Sequence, residues 1–161
     1  RRFLSKSQKK YEVIIADVYN SLLEMPINFT TKEFFVLTKN KLSDRGVFIG
    51  NFAGALDKES SPLTFSEIKT FKKVFPNSYF FAVVSPESLL PQNIIFLGIN
   101  GSKNIDFISQ EVLKSSSPII AELAQKNINL SDFELSNYKE ITDDFAPIEY
   151  LTSKVINRWY R

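Results

Sequence analysis

The sequence contains no histidine and no cysteine. Without cysteine there is no disulfide and no thiolate metal ligand. Without histidine there is no Ser-His-Asp triad, no imidazole general base and no imidazole-bound zinc. Proton transfer is left to Asp, Glu, Lys and Tyr. Glycine is scarce: the five in 161 residues form neither G-x-G-x-x-G nor G-x-x-x-x-G-K, so no phosphate-cradling loop is present. No apolar run approaches the roughly 20 residues of a membrane-spanning helix, and no signal-peptide pattern opens the chain. A cytoplasmic protein is the expectation. Neither charge sign dominates: 20 Lys and Arg against 18 Asp and Glu leave a net charge of +2. That points to no nucleic acid and no strongly anionic surface as partner.

What is present suits one globular domain spanning 1–161, with 43% apolar and 24% charged residues. Phenylalanine is abundant at 15 residues, which predicts an interior filled by aromatic rings. The first apolar run covers residues 12–19, with Val13-Ile14-Ile15-Ala16 at its centre. Continuous rather than alternating hydrophobicity predicts a strand covered on both faces, as in a parallel sheet. Thr30 and Glu33 have capping-box spacing, and Phe34, Leu37 and Leu42 follow near helical period. That helix should end at Ser43-Asp44-Arg45-Gly46, with Gly46 left-handed. Residues 47–55 read as a second strand.

The alternation continues. Thr64 and Glu67 form a second capping box, with Phe65, Ile68, Phe71 and Phe75 at three- and four-residue steps. Residues 78–84 and 93–99 read as third and fourth strands, the latter ending on the Asn100-Gly101 turn. Short helices are expected over 105–115 and 119–126. A clearer one carries Ile148, Leu151, Val155, Ile156 and Trp159 on one stripe, with Pro147 at its first turn. The order predicts an α/β fold: a mostly parallel sheet with one antiparallel strand and helices on both faces.

In open α/β sheets, ligands bind beyond the carboxyl ends of the strands. Asp17, Tyr19 and Asn20 stand at such an end, as do Asn51 and Phe52 after the second strand. A turn begun by Asp17 with Tyr19 packed over it accounts for the first group equally well. A second acidic group, Asp143 and Asp144, precedes Pro147. One of them, Asp144, is expected to cap the last helix. Capping leaves Asp143 and Glu149 unassigned. These residues define an acidic strand-end site and name no reaction.

Four segments together resemble the spermidine synthase-like family: "RRFLSKSQKKYEVIIADVYNS", "P-x-x-F-T-T-K-E-F-F", "L-x-x-x-G-V-F-x-x-N" and "TDDFAPIEYL". The resemblance runs in order from residue 1 to the last helix and is weakest between 55 and 135. It implies the Rossmann-like fold of class I S-adenosylmethionine-dependent methyltransferases, with sheet order 3-2-1-4-5-7-6. The chain would supply its C-terminal portion, strands 4-5-7-6, with the glycine loop upstream. The start "RRFL", which has no initiator Met, then reads as the interior of a longer protein. The resemblance implies aminopropyl transfer from S-adenosylmethionine or decarboxylated S-adenosylmethionine to a small amine or polyamine, with no metal. Asp17 would be the catalytic and donor-facing acid; Tyr19, Asn20, Asp143 and Asp144 would line the substrate pocket. The family's general base falls at Asn20, and an amide cannot accept the amine proton. Two alternatives follow: a non-catalytic relative kept for binding or assembly, and a small-molecule methyltransferase. The first strand would be an open edge, so pairing with another copy or an upstream segment is expected.

Overall fold

Four apolar runs pair into one sheet in a computed structural model that describes residues 1–17, 26–59 and 61–159. The strands are β1 (Tyr11–Asp17), β2 (Leu42–Gly54), β3 (Ser78–Ala82) and β4 (Gln92–Ile99). Their order is β1-β2-β4-β3. β1 is parallel to β2, and β4 is antiparallel to both β2 and β3. Three strands therefore point one way and β4 the other, the 4-5-7-6 arrangement with its single reversed member. The β1–β2 register jumps from Tyr11↔Leu42 to Val13↔Val47, so β2 bulges outward between them.

The principal helices are α2 (Lys32–Lys41), α3 (Pro62–Val74) and α7 (Ile148–Trp159), with the short α1 (Arg2–Lys6) at the start. α2 and α3 bury one face of the sheet. Phe34 and Phe35 of α2 and Phe65, Ile68 and Phe71 of α3 meet Phe48 and Phe52 of β2, Phe80 of β3 and Phe96 of β4. Phe71 is the hub, with ring centroids at 5.0 Å from Phe35, 5.4 Å from Phe96 and 4.8 Å from Phe75. Each buried ring contributes about 1.5–3 kcal/mol through removal of apolar area from water. The aromatic interior expected from composition is thus the core itself.

On the opposite face the chain after β4 reaches the β3 side, where Phe107 packs edge-on against Tyr79 and Phe81. It then rounds the outer edge of β3. Phe81 bridges Asn127, and the Ile128 N–H donates to Phe80 O at 2.8 Å. Residues 128–138 return to the α3 side, with Phe133 and Tyr138 against Phe65.

Several boundaries differ from expectation. α2 is capped by Thr31, whose Oγ1 accepts from Phe34 N–H at 3.3 Å, and Thr30 donates instead to Ile27 O. α3 starts at Pro62, so Thr64 lies inside it and its Oγ1 accepts from the Ala55 N–H at 3.2 Å. The positive φ falls on Arg45, at 62°, and Gly46 is not left-handed. β2 follows α2 with no intervening turn. The helices expected over 105–115 and 119–126 shrink to three of four residues each, α4 (Gln110–Leu113), α5 (Pro118–Ala121) and α6 (Leu123–Lys126). Serines, Asn104 and Pro118 punctuate that stretch and stop propagation. α7 runs as expected, and the Trp159 side chain lies outside the description.

Candidate active site

Parallel pairing brings Asp17, the last residue of β1, beside Asn51 of β2. Both lie on the face opposite α2 and α3, because their neighbours Ala16 and Phe52 point into the core. Asn51 Nδ2 donates to Asp17 Oδ1 at 3.0 Å. An ionised carboxylate only accepts, so the amide must turn its NH2 group toward Asp17. Asn51 Oδ1 is thereby directed away, and it is buried with no hydrogen-bond partner among the described residues. Leaving such an acceptor unpaired costs about 1–3 kcal/mol. Among the described residues the pair therefore shows two acceptors with no donor of their own: the second carboxylate oxygen and the orphaned amide oxygen. A cationic N–H donor, such as an ammonium, matches both.

The antiparallel β4 begins at this same end of the sheet, with Ala53 opposite Asn93. Gln92 holds the adjoining loop. Its Oε1 accepts from the Val84 and Ser85 N–H groups at 2.8 and 3.1 Å, and its Nε2 donates to Ser85 O at 2.8 Å. One amide thus fixes the wall beside the strand ends. Tyr19 and Asn20, expected in the site, lie outside the described residues.

Asp143 and Asp144 form the tip of a turn closed by hydrogen bonds between Thr142 and Phe145. That turn sits on the N-terminus of α2, which starts from the carboxyl end of the sheet. Ile141 O accepts from Lys32 N–H at 2.8 Å, and the Asp143 N–H donates to Glu33 Oε2 at 2.8 Å. Glu33 therefore faces the turn and does not close a capping box. The Asp143 carboxylate accepts from Thr31 Oγ1 at 2.7 Å and from both terminal nitrogens of Arg1. The Arg1 hydrogen bond, with a smaller contribution from Thr31, holds its pKa below the usual carboxylate range, and the Arg1 guanidinium is raised in turn. Asp143 is thus a neutralised joint between the first residue, α2 and the C-terminal segment. Asp144 is exposed and makes no hydrogen bond or ion pair among the described residues, so it does not cap α7.

Asn51 had one sequence signal, its place after the second apolar run; its bond to Asp17 had none. A further carboxylate, Asp57, stands beyond β2 and pairs with Arg158 of α7 at 3.0 Å. Burial, then the charge of Asp57, raises the Tyr138 hydroxyl pKa. A cavity of about 320 Å³ opens between the start of α3, Tyr138, Phe145 and Leu151, and neither Asp17 nor Asn51 lines it. Among the described residues no group of three or more carboxylates is placed to hold a metal ion. No described helix is long and apolar enough to cross a membrane.

The strand order, with helices packed around the sheet, is that of a spermidine synthase-like fold. A solved structure of a probable spermidine synthase from Corynebacterium glutamicum superimposes with a TM-score of 0.62 at 24% identity, over 88% of this chain and 51% of that one. Spermidine synthase from Thermotoga maritima, and a spermidine synthase in complex with the transition-state analogue AdoDATO, align over 96% of this chain and 46% of theirs. Their TM-scores are 0.45 and 0.44, each at 18% identity. The chain thus spans about half the length of these proteins. No protein-family model and no curated protein sequence matches it.

Proposed function

We propose that the chain is the amine-binding part of a cytoplasmic, spermidine synthase-like protein. The whole protein would transfer an aminopropyl or related group from S-adenosylmethionine or its decarboxylated form to a small amine or polyamine. One observation carries the reading: Asp17 and Asn51 lie side by side at the strand ends, 3.0 Å apart, with the Asn51 Oδ1 buried and unpaired. The likeness of fold supports it.

The donor would supply an electrophilic carbon on a sulfonium. This chain has no glycine-rich cradle that fits the nucleotide end of such a donor. Its own residues suit the acceptor. Asp17, oriented by Asn51, would accept hydrogen bonds from the attacking amine. Because position 20 is an amide, Asp17 is the carboxylate left to take the amine proton. Asp144, exposed on its turn, would face the far ammonium of a polyamine, while Asp143 stays committed to Arg1. Tyr19 would offer its ring to the methylene chain or the sulfonium.

Titration of the 161-residue chain with 1,4-diaminobutane, followed by NMR, tests the assignment. The expected result is saturable shifts of the Asp17 and Asn51 signals that vanish in Asp17→Asn. Shifts that persist in Asp17→Asn, or none at millimolar diamine, would refute it. Asn20 also favours a second reading, a relative that binds the amine without transferring to it. Amine binding with no transfer in the whole protein, even after Asn20→Asp, would decide for that reading.

A further inference from the structure

The outer edge of β3 carries a polar notch at the strand's amino end. The sheet order expected above adds any upstream strand at β1, which is the other edge. Residues 127–130 cover β3 only briefly: Phe81 bridges Asn127, and the Ile128 N–H reaches Phe80 O. Val83 N–H donates to Asn93 O and Ile99 N–H to Asn77 O, so the odd-numbered residues of β3 face β4. Ser78 therefore turns its backbone outward. Beyond Ile128 the chain leaves the strand in the turn begun by Asn129. A cavity of about 280 Å³ remains between that turn, the start of β3 and α3, with Lys72, Ser78, Phe80, Asn127 and Asn129 in its wall.

That wall holds donors and no carboxylate. The other lysines of α3 are committed: Lys69 donates to Ser136 O and Tyr138 O, and Lys73 pairs with Glu140 at 2.6 Å. The carbonyl of Val74, which a cation at the helix C-terminus would serve, accepts from Lys39 at 2.7 Å. Lys72 is half-buried and makes no hydrogen bond or ion pair among the described residues. Ser78 Oγ is buried with no partner among them. Asn129 Oδ1 accepts from the Ser131 N–H at 3.2 Å and from Ser131 Oγ at 2.8 Å, which turns its NH2 group away from that turn. The Asn127 side chain, also half-buried, has no hydrogen bond among the described residues. One ammonium with neutral donors around it matches an acceptor-only group of single charge, which is a carboxylate. A phosphate dianion would leave charge unbalanced beside a lone cation.

We propose that this notch binds the carboxylate of a small organic acid, with Lys72 as counter-ion and Ser78, Asn127 and Asn129 as neutral donors. Neither Asp17 nor Asn51 lines it, so it is a second site and does not rest on the amine reading.

NMR titration of the full chain with sodium acetate, at constant ionic strength kept by chloride, tests this. Saturable shifts are expected at Ser78, Phe80 and Asn127 in the millimolar range, with the Asp17 and Asn51 signals unmoved. Lys72→Gln should weaken binding roughly tenfold or more, through loss of a charge-assisted hydrogen bond. Lys139→Gln, at an exposed lysine outside the cavity, should leave it unchanged. Circular dichroism confirms that each variant folds. The absence of saturable shifts would overturn the proposal, as would equal affinity in Lys72→Gln or an equal loss in Lys139→Gln. Inorganic phosphate saturating the same signals at lower concentration than acetate would overturn the assignment to a carboxylate.

Discussion

Gly98 of β4 lies flat beneath α3, and giving it a side chain perturbs the centre of the core. A Cβ there would stand 2.7 Å from Phe71 Cζ, 2.7 Å from Phe75 Cγ and 2.8 Å from Phe75 Cδ1. Relaxed carbon–carbon contacts lie near 3.5–4.0 Å, so one or both rings must retreat by about 1 Å. Neither has room. Both rings are 0% exposed, and Phe71 already packs against Phe35, Phe48, Phe80 and Phe96. Overpacking of this kind costs about 1–3 kcal/mol. The backbone term has the opposite sign: Gly98 has no positive φ, so alanine lowers unfolded-state entropy and returns about 0.4–1 kcal/mol. The net expectation for Gly98→Ala is a loss of about 1–2 kcal/mol. Urea unfolding followed by circular dichroism measures it. The mechanism makes a sharper demand in a double-mutant cycle with Phe71→Leu, which removes the clashing Cζ. The alanine penalty should shrink by at least about 0.5 kcal/mol in that background, only partly because Phe75 remains. Additivity within about 0.3 kcal/mol, or a neutral Gly98→Ala, would refute the steric account.

Two further outcomes follow from the joint at residue 143. Thr31→Val removes the cap of α2 and one hydrogen bond to Asp143, and should cost about 1 kcal/mol by urea unfolding. Asp143 has a depressed pKa in the folded state, so its contribution is present above the ordinary carboxylate range and lost as pH falls through the folded pKa. The ion pair is partly exposed, at 27% and 39%, and screening limits that contribution to at most about 1 kcal/mol at neutral pH. Asp143→Asn should therefore lose stability at pH 7 and match the wild type in acid. A difference that persists at low pH would count against this assignment.

The strands were legible because β-branched and aromatic runs bounded by turn residues say nearly the same thing locally and globally. Val13 to Ala16, Val47 to Gly54 and Ile94 to Ile99 all became sheet. The caps were less so. Thr30 and Thr31 are equivalent as local signals, and Asp143, 112 residues away from Thr31, takes the second. Thr64 likewise serves the Ala55 N–H instead of opening a helix. The stretch 105–126 misled because its apolar residues come near helical spacing while its serines and Pro118 keep each turn isolated. Within the site, Asp17 was readable as the acid that ends a strand. The partnership with Asn51 depended on strand register, and the commitment of Asp143 depended on Arg1 at the far end of the chain.

The position of β4 also dictates an order of assembly. β3 precedes β4 in the chain, yet among the described residues its only strand partner is β4, which must first seat between β3 and β2. A nascent chain that has released residues only through Ala82 can pair β1 with β2, while β3 has nothing to join. Phe80 and Phe81 then wait without a sheet until Gln92 to Ile99 arrive, 38 positions after their β2 partner at Gly54↔Gln92 and 52 at Val47↔Ile99. The aromatic density that stabilises the finished core is thus also its hazard during synthesis, when those rings face water or each other.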